Sequence, residues 1–167
     1  GIMNSHKLIL MDRFDAARFV DLVERHRAQH AFLAPIMMQR IARLPDIEKR
    51  DLSSFESVVH AGAVCPAWVK RRWIELIGAE KVYEYYAMTE SLGSTSIRGD
   101  EWLKRPGTVG KAVFCDIEIR DPDGRRLPAG EVGEIWLRSE LPDKYQYLNA
   151  EPLRSTPDGF VTAGDLG

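Results

Sequence analysis

The stretch Tyr-Glu-Tyr-Tyr-Ala-Met-Thr-Glu-Ser, residues 83–91, is the part of this sequence around which the rest is organised. Its aromatic first half stops at the small residue Ala87 and is followed by a hydroxyl and a carboxylate, Thr89 and Glu90. A buried strand of an open α/β sheet delivers polar groups in this way to a ligand beyond its carboxyl end. Tyr86 offers a flat ring on which a purine can stack, with its hydroxyl expected to be incidental. The same residues also fit an ordinary aromatic strand followed by a helix start.

Strands and helices alternate upstream of this stretch. The sequence predicts four strands, at residues 7–11, 31–34, 55–60 and 81–86. Helices are predicted between them, beginning at Asp15, Pro35 and Pro66, with Gly78 closing the third. This alternation favours a parallel sheet covered by helices, the α/β class.

The third helix is predicted to bury one face and expose the other. Its apolar positions share one side, and they are Val69, Trp73, Leu76 and Ile77. Lys70, Arg71 and Arg72 are therefore expected to point mostly outward, as the solvated face of the helix.

The pattern changes after Glu90. Residues 91–105 are predicted to be irregular, whereas residues 113–120 alternate with the period of a half-buried strand and residues 133–138 form another strand. Asp121-Pro122-Asp123-Gly124 is a turn by its chemistry, which explains its two aspartates better than acid–base catalysis does. We expect an α/β subdomain over residues 1–110 and a small antiparallel, barrel-like β subdomain over residues 111–167.

Composition excludes several classes of protein. The 167 residues are 44% hydrophobic and 29% charged, which is typical of a globular chain. A net charge of -2 argues against a nucleic-acid binder. Cys65 and Cys115 are too far apart for a metal motif, which favours reduced thiols and a cytoplasmic location. The apolar runs are too short to cross a bilayer, so any membrane contact is expected to be peripheral.

Several segments resemble one enzyme family. Residues 86–90, Tyr-Ala-Met-Thr-Glu, are similar to the Tyr-Gly-x-Thr-Glu motif of the acyl-adenylate-forming (AMP-binding) superfamily, with Ala87 in place of glycine. The other matching segments follow in the family's order, at residues 59–66, 106–110, 133–138, 145–149 and 158–167. Ala163 replaces the usual threonine of the last one. Within the superfamily the His-Ala-Gly-Ala run at residues 60–63 looks most like the fatty-acyl-CoA synthetases.

The resemblance implies a set of roles for individual residues. Tyr86 would stack on adenine beside Ala87, with Glu84 and Tyr85 at the edge of the pocket and the backbone of Ala61, Gly62 and Ala63 flanking it. Thr89 would touch the α-phosphate, Glu90 would bind Mg²⁺, and Asp165 would accept hydrogen bonds from both ribose hydroxyls. Thr89 and Glu90 are thus the implied catalytic residues.

The implied reaction uses ATP, Mg²⁺, coenzyme A and a carboxylic acid. A fatty or lipid-like acid is expected, while aromatic, bile-acid and sterol-derived acids stay open. Two expected parts of such an enzyme are missing, a triphosphate loop ending in lysine upstream of residue 1 and a small domain with a catalytic lysine downstream of Gly167. The chain is therefore expected to be an internal section of the large N-terminal domain, inactive alone. Two alternative functions stay open, transfer of the acyl group to a carrier protein or to oxygen, and a noncatalytic module with this fold. A homodimer also stays open.

Overall fold

The computed structural model describes residues 6–139 and 147–167. The chain divides into two compact units, Gly1–Glu84 with Arg98–Thr108, and Tyr85–Ile97 with Val109–Gly167. Residues 1–5 lie outside the described residues, as do residues 145 and 146 of the segment at residues 145–149 that resembles the family. The division at residue 110 stays a prediction.

The first unit is built on parallel strands. Strand β1 (His30–Leu33) pairs with β2 (Ser57–His60), and β2 pairs with β3 (Val82–Ala87), both in parallel. The register places His60 opposite both Leu33 and Glu84, so the carboxyl ends of the strands come together at one edge. This confirms three of the four predicted strands and the parallel pairing between them.

The described part of this unit has four helices: α1 (Ala16–His26), α2 (Pro35–Ala42), α3 (Ala67–Ile77) and α4 (Gly99–Lys104). The predicted caps are confirmed, because the Asp15 carboxylate accepts from the Arg18 N–H at 2.8 Å and Gly78 closes α3 with φ +98°. Short 3-10 turns lie at Ile47–Lys49 and Ala79–Lys81. Residues from the helices and strands form one apolar core that includes Val20, Met38, Ile41, Phe55, Val58, Val69, Trp73 and Val82.

The strand predicted at residues 7–11 is wrong. The described backbone there is irregular, and Leu8 and Leu10 are 50% and 85% exposed. An apolar run becomes a strand only when its backbone groups find a partner, and no strand pairs with residues 7–11 in the described ranges 6–139 and 147–167. In the described residues β1 is accordingly an edge strand of its sheet.

The prediction that residues 91–105 are irregular is also wrong. They contain strand β4 (Ser94–Arg98) as well as α4, and Trp102 of that helix is buried. Thr95 and Ile97 are buried and alternate with the partly exposed Ser94 and Ser96, which is the period of a strand. The glycine- and serine-rich composition of the segment makes this short alternation easy to overlook. Beta4 pairs antiparallel with β5 (Lys111–Val113), so the sheet is mixed, in the order β1-β2-β3-β4-β5.

The second unit contains a smaller antiparallel sheet. Its strands are β6 (Cys115–Arg120), β7 (Glu134–Ser139), β8 (Arg154–Ser155) and β9 (Val161–Thr162), in the order β6-β7-β9-β8. The antiparallel arrangement is confirmed, but the barrel-like closure is not found: over the described residues the four strands form an open sheet. The predicted turn is confirmed, because the Gly124 N–H donates to the Asp121 carbonyl at 3.0 Å.

Candidate functional site

The end of β3 presents the central motif as a strand followed by a tight turn. Tyr85 is 36% exposed, Tyr86 and Glu90 are half-buried, and Thr89 is exposed. The Ser91 N–H donates to the Met88 carbonyl at 3.1 Å, which closes a turn around Thr89 and Glu90 instead of starting a helix. The hydroxyl and the carboxylate are therefore displayed on a turn just past a strand end, as the motif predicts.

Tyr86 and Asp165 are brought into contact in the second unit. The Tyr86 hydroxyl donates to Asp165 Oδ2 at 2.8 Å, although the two residues are 79 positions apart in the chain. Burial and the bond to Asp165 both raise the pKa of the Tyr86 phenol, so it keeps its proton at neutral pH. The hydroxyl therefore has a structural partner, which the sequence did not indicate.

The backbone around Asp165 is held from both sides. Gly164 adopts φ +92°, and its N–H donates to Thr162 Oγ1 at 3.0 Å. The Ile135 N–H of β7 donates to the Asp165 carbonyl at 2.8 Å. These bonds use backbone atoms, and the bond described for the Asp165 side chain is the one from the Tyr86 hydroxyl. The exposed carboxylate therefore keeps acceptor capacity for two neighbouring hydroxyls.

Glu90 has a partner of its own in this unit. The Tyr147 hydroxyl donates to Glu90 Oε1, and this bond lowers the pKa of the Glu90 carboxyl while raising that of the Tyr147 phenol. Glu90 is therefore ionised at neutral pH and is held in one orientation. Sequence reasoning gave Tyr147 no role, because nothing local links it to a carboxylate 57 residues earlier.

The turn after β2 belongs to the first unit. Ala61 is half-buried, whereas Gly62 and Ala63 are exposed. Gly62 has φ +86°, and a Cβ built on it meets nothing within 4 Å. The glycine is thus required by the backbone conformation, and the space beside it is open to an approaching ligand.

A buried ion pair in the first unit joins α3 to β3. Lys70 of α3 is 1% exposed and Glu84 of β3 is 9% exposed, and Lys70 Nζ bonds Glu84 Oε2. The Lys70 ammonium also lies 4.6 Å from the centre of the Trp102 ring. The prediction that Lys70 points outward is wrong. The sequence spacing does indicate the burial of Lys70, because Lys70 and the apolar Trp73 are three residues apart and therefore share one side of the helix.

His60 and Cys65 accompany this ion pair as neutral groups. Burial, with a further contribution from the Lys70 charge, lowers the pKa of His60 to about 3. Both ring nitrogens of His60 are buried without a hydrogen-bond partner among the described residues. Burial raises the pKa of the Cys65 thiol to about 11, with Glu84 adding to the rise. Neither group is a nucleophile or a base at neutral pH.

The structure thus groups the predicted site residues by unit. Tyr86 contacts Asp165 in the second unit, which also contains Tyr85, Ala87, Thr89 and Glu90. The first unit contains Ala61, Gly62, Ala63 and Glu84, and the Glu84 carboxylate is taken by Lys70. Across residues 6–139 and 147–167 no group of three or more histidines, cysteines and carboxylates could hold a metal by itself. No helix in these ranges is both long and apolar enough to span a membrane.

Comparison with known proteins identifies similar enzymes. A family model described as AMP-binding enzyme matches residues 1–141. A 4-coumarate–CoA ligase-like protein of Arabidopsis thaliana is 34% identical over 166 residues, covering 95% of this chain and 29% of that protein. A medium/long-chain-fatty-acid–CoA ligase of Mycobacterium tuberculosis is 30% identical over 173 residues, covering 99% of this chain and 29% of the ligase.

A solved structure is similar over nearly the whole chain. The amide bond synthetase of Marinactinospora thermotolerans matches with a TM-score of 0.78 and 28% identity, covering 94% of this chain and 33% of that chain. This chain spans 29% of the length of each of the two curated relatives. These proteins are named for different acids, and one of them is named for an amide product.

Proposed function

The chain belongs to the AMP-binding enzyme family, and from that premise we propose that the protein is an ATP-dependent acyl-CoA synthetase to which this chain supplies nucleotide contacts. The observation that carries the proposal is the hydrogen bond between Tyr86 and Asp165. It joins the residue expected to stack on adenine to the residue expected to bind the ribose. Two motifs 79 residues apart therefore lie side by side, so that a single nucleoside would contact both.

Each residue has a role that its setting supports. The half-buried Tyr86 ring would stack on adenine next to Ala87, where a small side chain permits close approach. Tyr85 and the backbone of Glu84 would form the edge of the base pocket. Asp165 would accept from the ribose hydroxyls. The turn Ala61, Gly62 and Ala63 would flank the nucleotide by its exposed backbone.

Glu90 fits Mg²⁺ bound together with substrate phosphate. Mg²⁺ is usually held by one or two carboxylates plus phosphate oxygens and water, rather than by an all-protein cage. A single ionised carboxylate on a partly exposed turn matches that pattern. When bound, the ion would neutralise charge on the triphosphate. The exposed Thr89 hydroxyl would donate to the α-phosphate from the same turn.

The proposed reaction has two displacements. A carboxylate oxygen of the acid attacks the α-phosphorus of ATP, and pyrophosphate leaves. The sulfur of coenzyme A then attacks the acyl carbon of the adenylate, and AMP leaves. In the first step the contribution of this chain is to hold the base and ribose and to place Thr89 and Glu90 at the phosphates, which is catalysis by positioning and charge stabilisation.

The acid would be fatty or lipid-like, and the enzyme would be cytoplasmic. The His-Ala-Gly-Ala run at residues 60–63 supports a fatty or lipid-like acid, and the fatty-acid–CoA ligase among the relatives supports both that acid and coenzyme A as acceptor. Free thiols at Cys65 and Cys115 support a cytoplasmic location.

The ribose contact gives the direct test of this function. We expect Asp165→Ala to weaken AMP binding about tenfold or more, because a hydrogen bond to a charged group contributes roughly 1.5 to 3 kcal/mol. The preference for AMP over 2′-deoxy-AMP should disappear in the same variant. Titration calorimetry of the full-length protein with both nucleotides measures the two effects. Asp123→Ala, which removes an exposed turn carboxylate, serves as the control. An unchanged preference in Asp165→Ala contradicts the proposal.

Tyr86 separates the contribution of the ring from that of the hydroxyl. We expect Tyr86→Ala to weaken AMP binding roughly tenfold or more, since base stacking on an aromatic ring contributes about 1 to 3 kcal/mol. Tyr86→Phe keeps the ring and removes only the hydrogen bond to Asp165, so the free energy of AMP binding should weaken by only about 0.5 to 1.5 kcal/mol. Calorimetry with AMP ranks the two variants. Equal affinity of Tyr86→Ala and the unsubstituted protein would exclude the stacking role.

A further inference from the structure

Lys70 is a buried cation for which the proposed reaction has no use. It comes from the middle of α3, is 1% exposed, and is bound on one side by Glu84 and on the other by the face of Trp102. Lysine is rarely buried this completely, because an ammonium loses its hydration on burial. Burial lowers the pKa of Lys70, and the adjacent Glu84 carboxylate opposes that shift.

The pair contributes little to stability compared with an apolar pair of similar size. Desolvation of two charges offsets most of their attraction, so buried ion pairs can often be replaced by well-packed apolar residues without loss. What an ion pair adds is a fixed geometry, because a short charged hydrogen bond tolerates few arrangements of its two side chains. The position of this pair in the fold therefore indicates what it orients.

Glu84 lies close to the end of β3. His60 is its register partner on β2. Neither imidazole nitrogen of His60 has a hydrogen-bond partner in the described part of the chain, so His60 does not compete with Lys70 for the Glu84 carboxylate. Tyr86 is two residues further along the same strand, and residues i and i+2 of a strand point to the same face. A restraint on the side chain of Glu84 is thus transmitted to the ring of Tyr86 through one short piece of extended backbone.

We propose that Lys70 is a positioning residue, which holds Glu84 against α3 and thereby sets the carboxyl end of β3 and the ring of Tyr86 for the nucleotide. This inference rests on the proposed function, because it takes Tyr86 as the residue that stacks on adenine. It also changes the role expected of Glu84: its carboxylate serves Lys70, and only its backbone belongs to the edge of the base pocket.

The test replaces the ion pair in two ways in the full-length protein. Lys70→Met with Glu84→Leu substitutes an apolar pair, and Lys70→Glu with Glu84→Lys reverses the charges. AMP affinity is measured by calorimetry and the melting temperature by thermal unfolding. Arg72→Met is the matched control, because Arg72 is on the same helix and pairs with Glu48 and Glu75 at the surface.

We expect the apolar pair to fold with a melting temperature close to that of the unsubstituted protein but to bind AMP about tenfold more weakly, the loss that stacking would suffer if the ring were misplaced. The reversed pair should regain most of this affinity. Arg72→Met should change neither quantity. If the reversed pair does not fold, Lys70→Arg takes its place as the variant that keeps the cation.

Two outcomes overturn the inference. Full AMP affinity in the apolar pair shows that Lys70 has only a structural role. Equal weakness of the apolar pair and the reversed pair, or of the apolar pair and Lys70→Arg where that variant is used, shows that the affinity depends on something other than the ion pair. A third outcome, no AMP binding by the unsubstituted protein, overturns the proposed function itself and is recognised before any variant is made.

Discussion

Glu90→Gln is expected to lower the rate of adenylate formation by about two orders of magnitude, with a higher Mg²⁺ concentration needed for half the maximal rate. The substitution keeps the size of the side chain and removes its charge, so the Tyr147 hydroxyl still has an acceptor. A metal ligand that helps to neutralise the triphosphate acts mainly in the transition state, where loss of one stabilising group typically costs about 100-fold or more. ATP–pyrophosphate exchange across a range of Mg²⁺ concentrations measures both effects.

Tyr147→Phe is the matched comparison for Glu90→Gln. It keeps the carboxylate charge and removes only the hydroxyl that orients it, so the change in Mg²⁺ dependence should be much smaller. A rate loss in Glu90→Gln with unchanged Mg²⁺ dependence would contradict the metal role and leave Glu90 as a residue that shapes its turn.

Lys70→Met should have the largest effect on stability among the substitutions considered. It leaves the Glu84 carboxylate buried without its cation, and breaking one side of a buried ion pair costs about 3 to 5 kcal/mol of the free energy of unfolding. Because whole domains are stable by only about 5 to 15 kcal/mol, this loss is a large fraction of the free energy of unfolding. Urea denaturation followed by circular dichroism measures the change.

Arg72→Met provides the surface comparison, since exposed ion pairs contribute about 1 kcal/mol or less. Equal destabilisation by Lys70→Met and Arg72→Met would mean that the Lys70–Glu84 pair is hydrated in solution and that its burial is not the source of its effect. Recovery of stability on adding Glu84→Leu to Lys70→Met would show that the unpaired carboxylate is the cause.

The errors of sequence-based prediction have specific causes in this protein. The apolar run at residues 7–11 has the composition of a strand, but strand formation depends on a neighbouring backbone that local sequence does not reveal. Beta4 was hidden because serines separate its buried residues Thr95 and Ile97. The charge of Lys70 predicts a surface position. The residue is buried because its ammonium contacts Glu84 and the ring of Trp102, which are far from it in the sequence.

Local chemistry in the sequence was sufficient to predict the alternation of strands and helices, their caps, the two kinds of sheet and the family resemblance. These features depend on residues near one another in the chain, such as the cap at Asp15 or the turn at residues 121–124. The contacts that give the candidate site its geometry are of another kind. Tyr86 meets Asp165 across 79 residues and Glu90 meets Tyr147 across 57. Such pairs are set by how strands and turns pack, because closing a long loop is favoured by the whole fold and not by the two residues that finally touch.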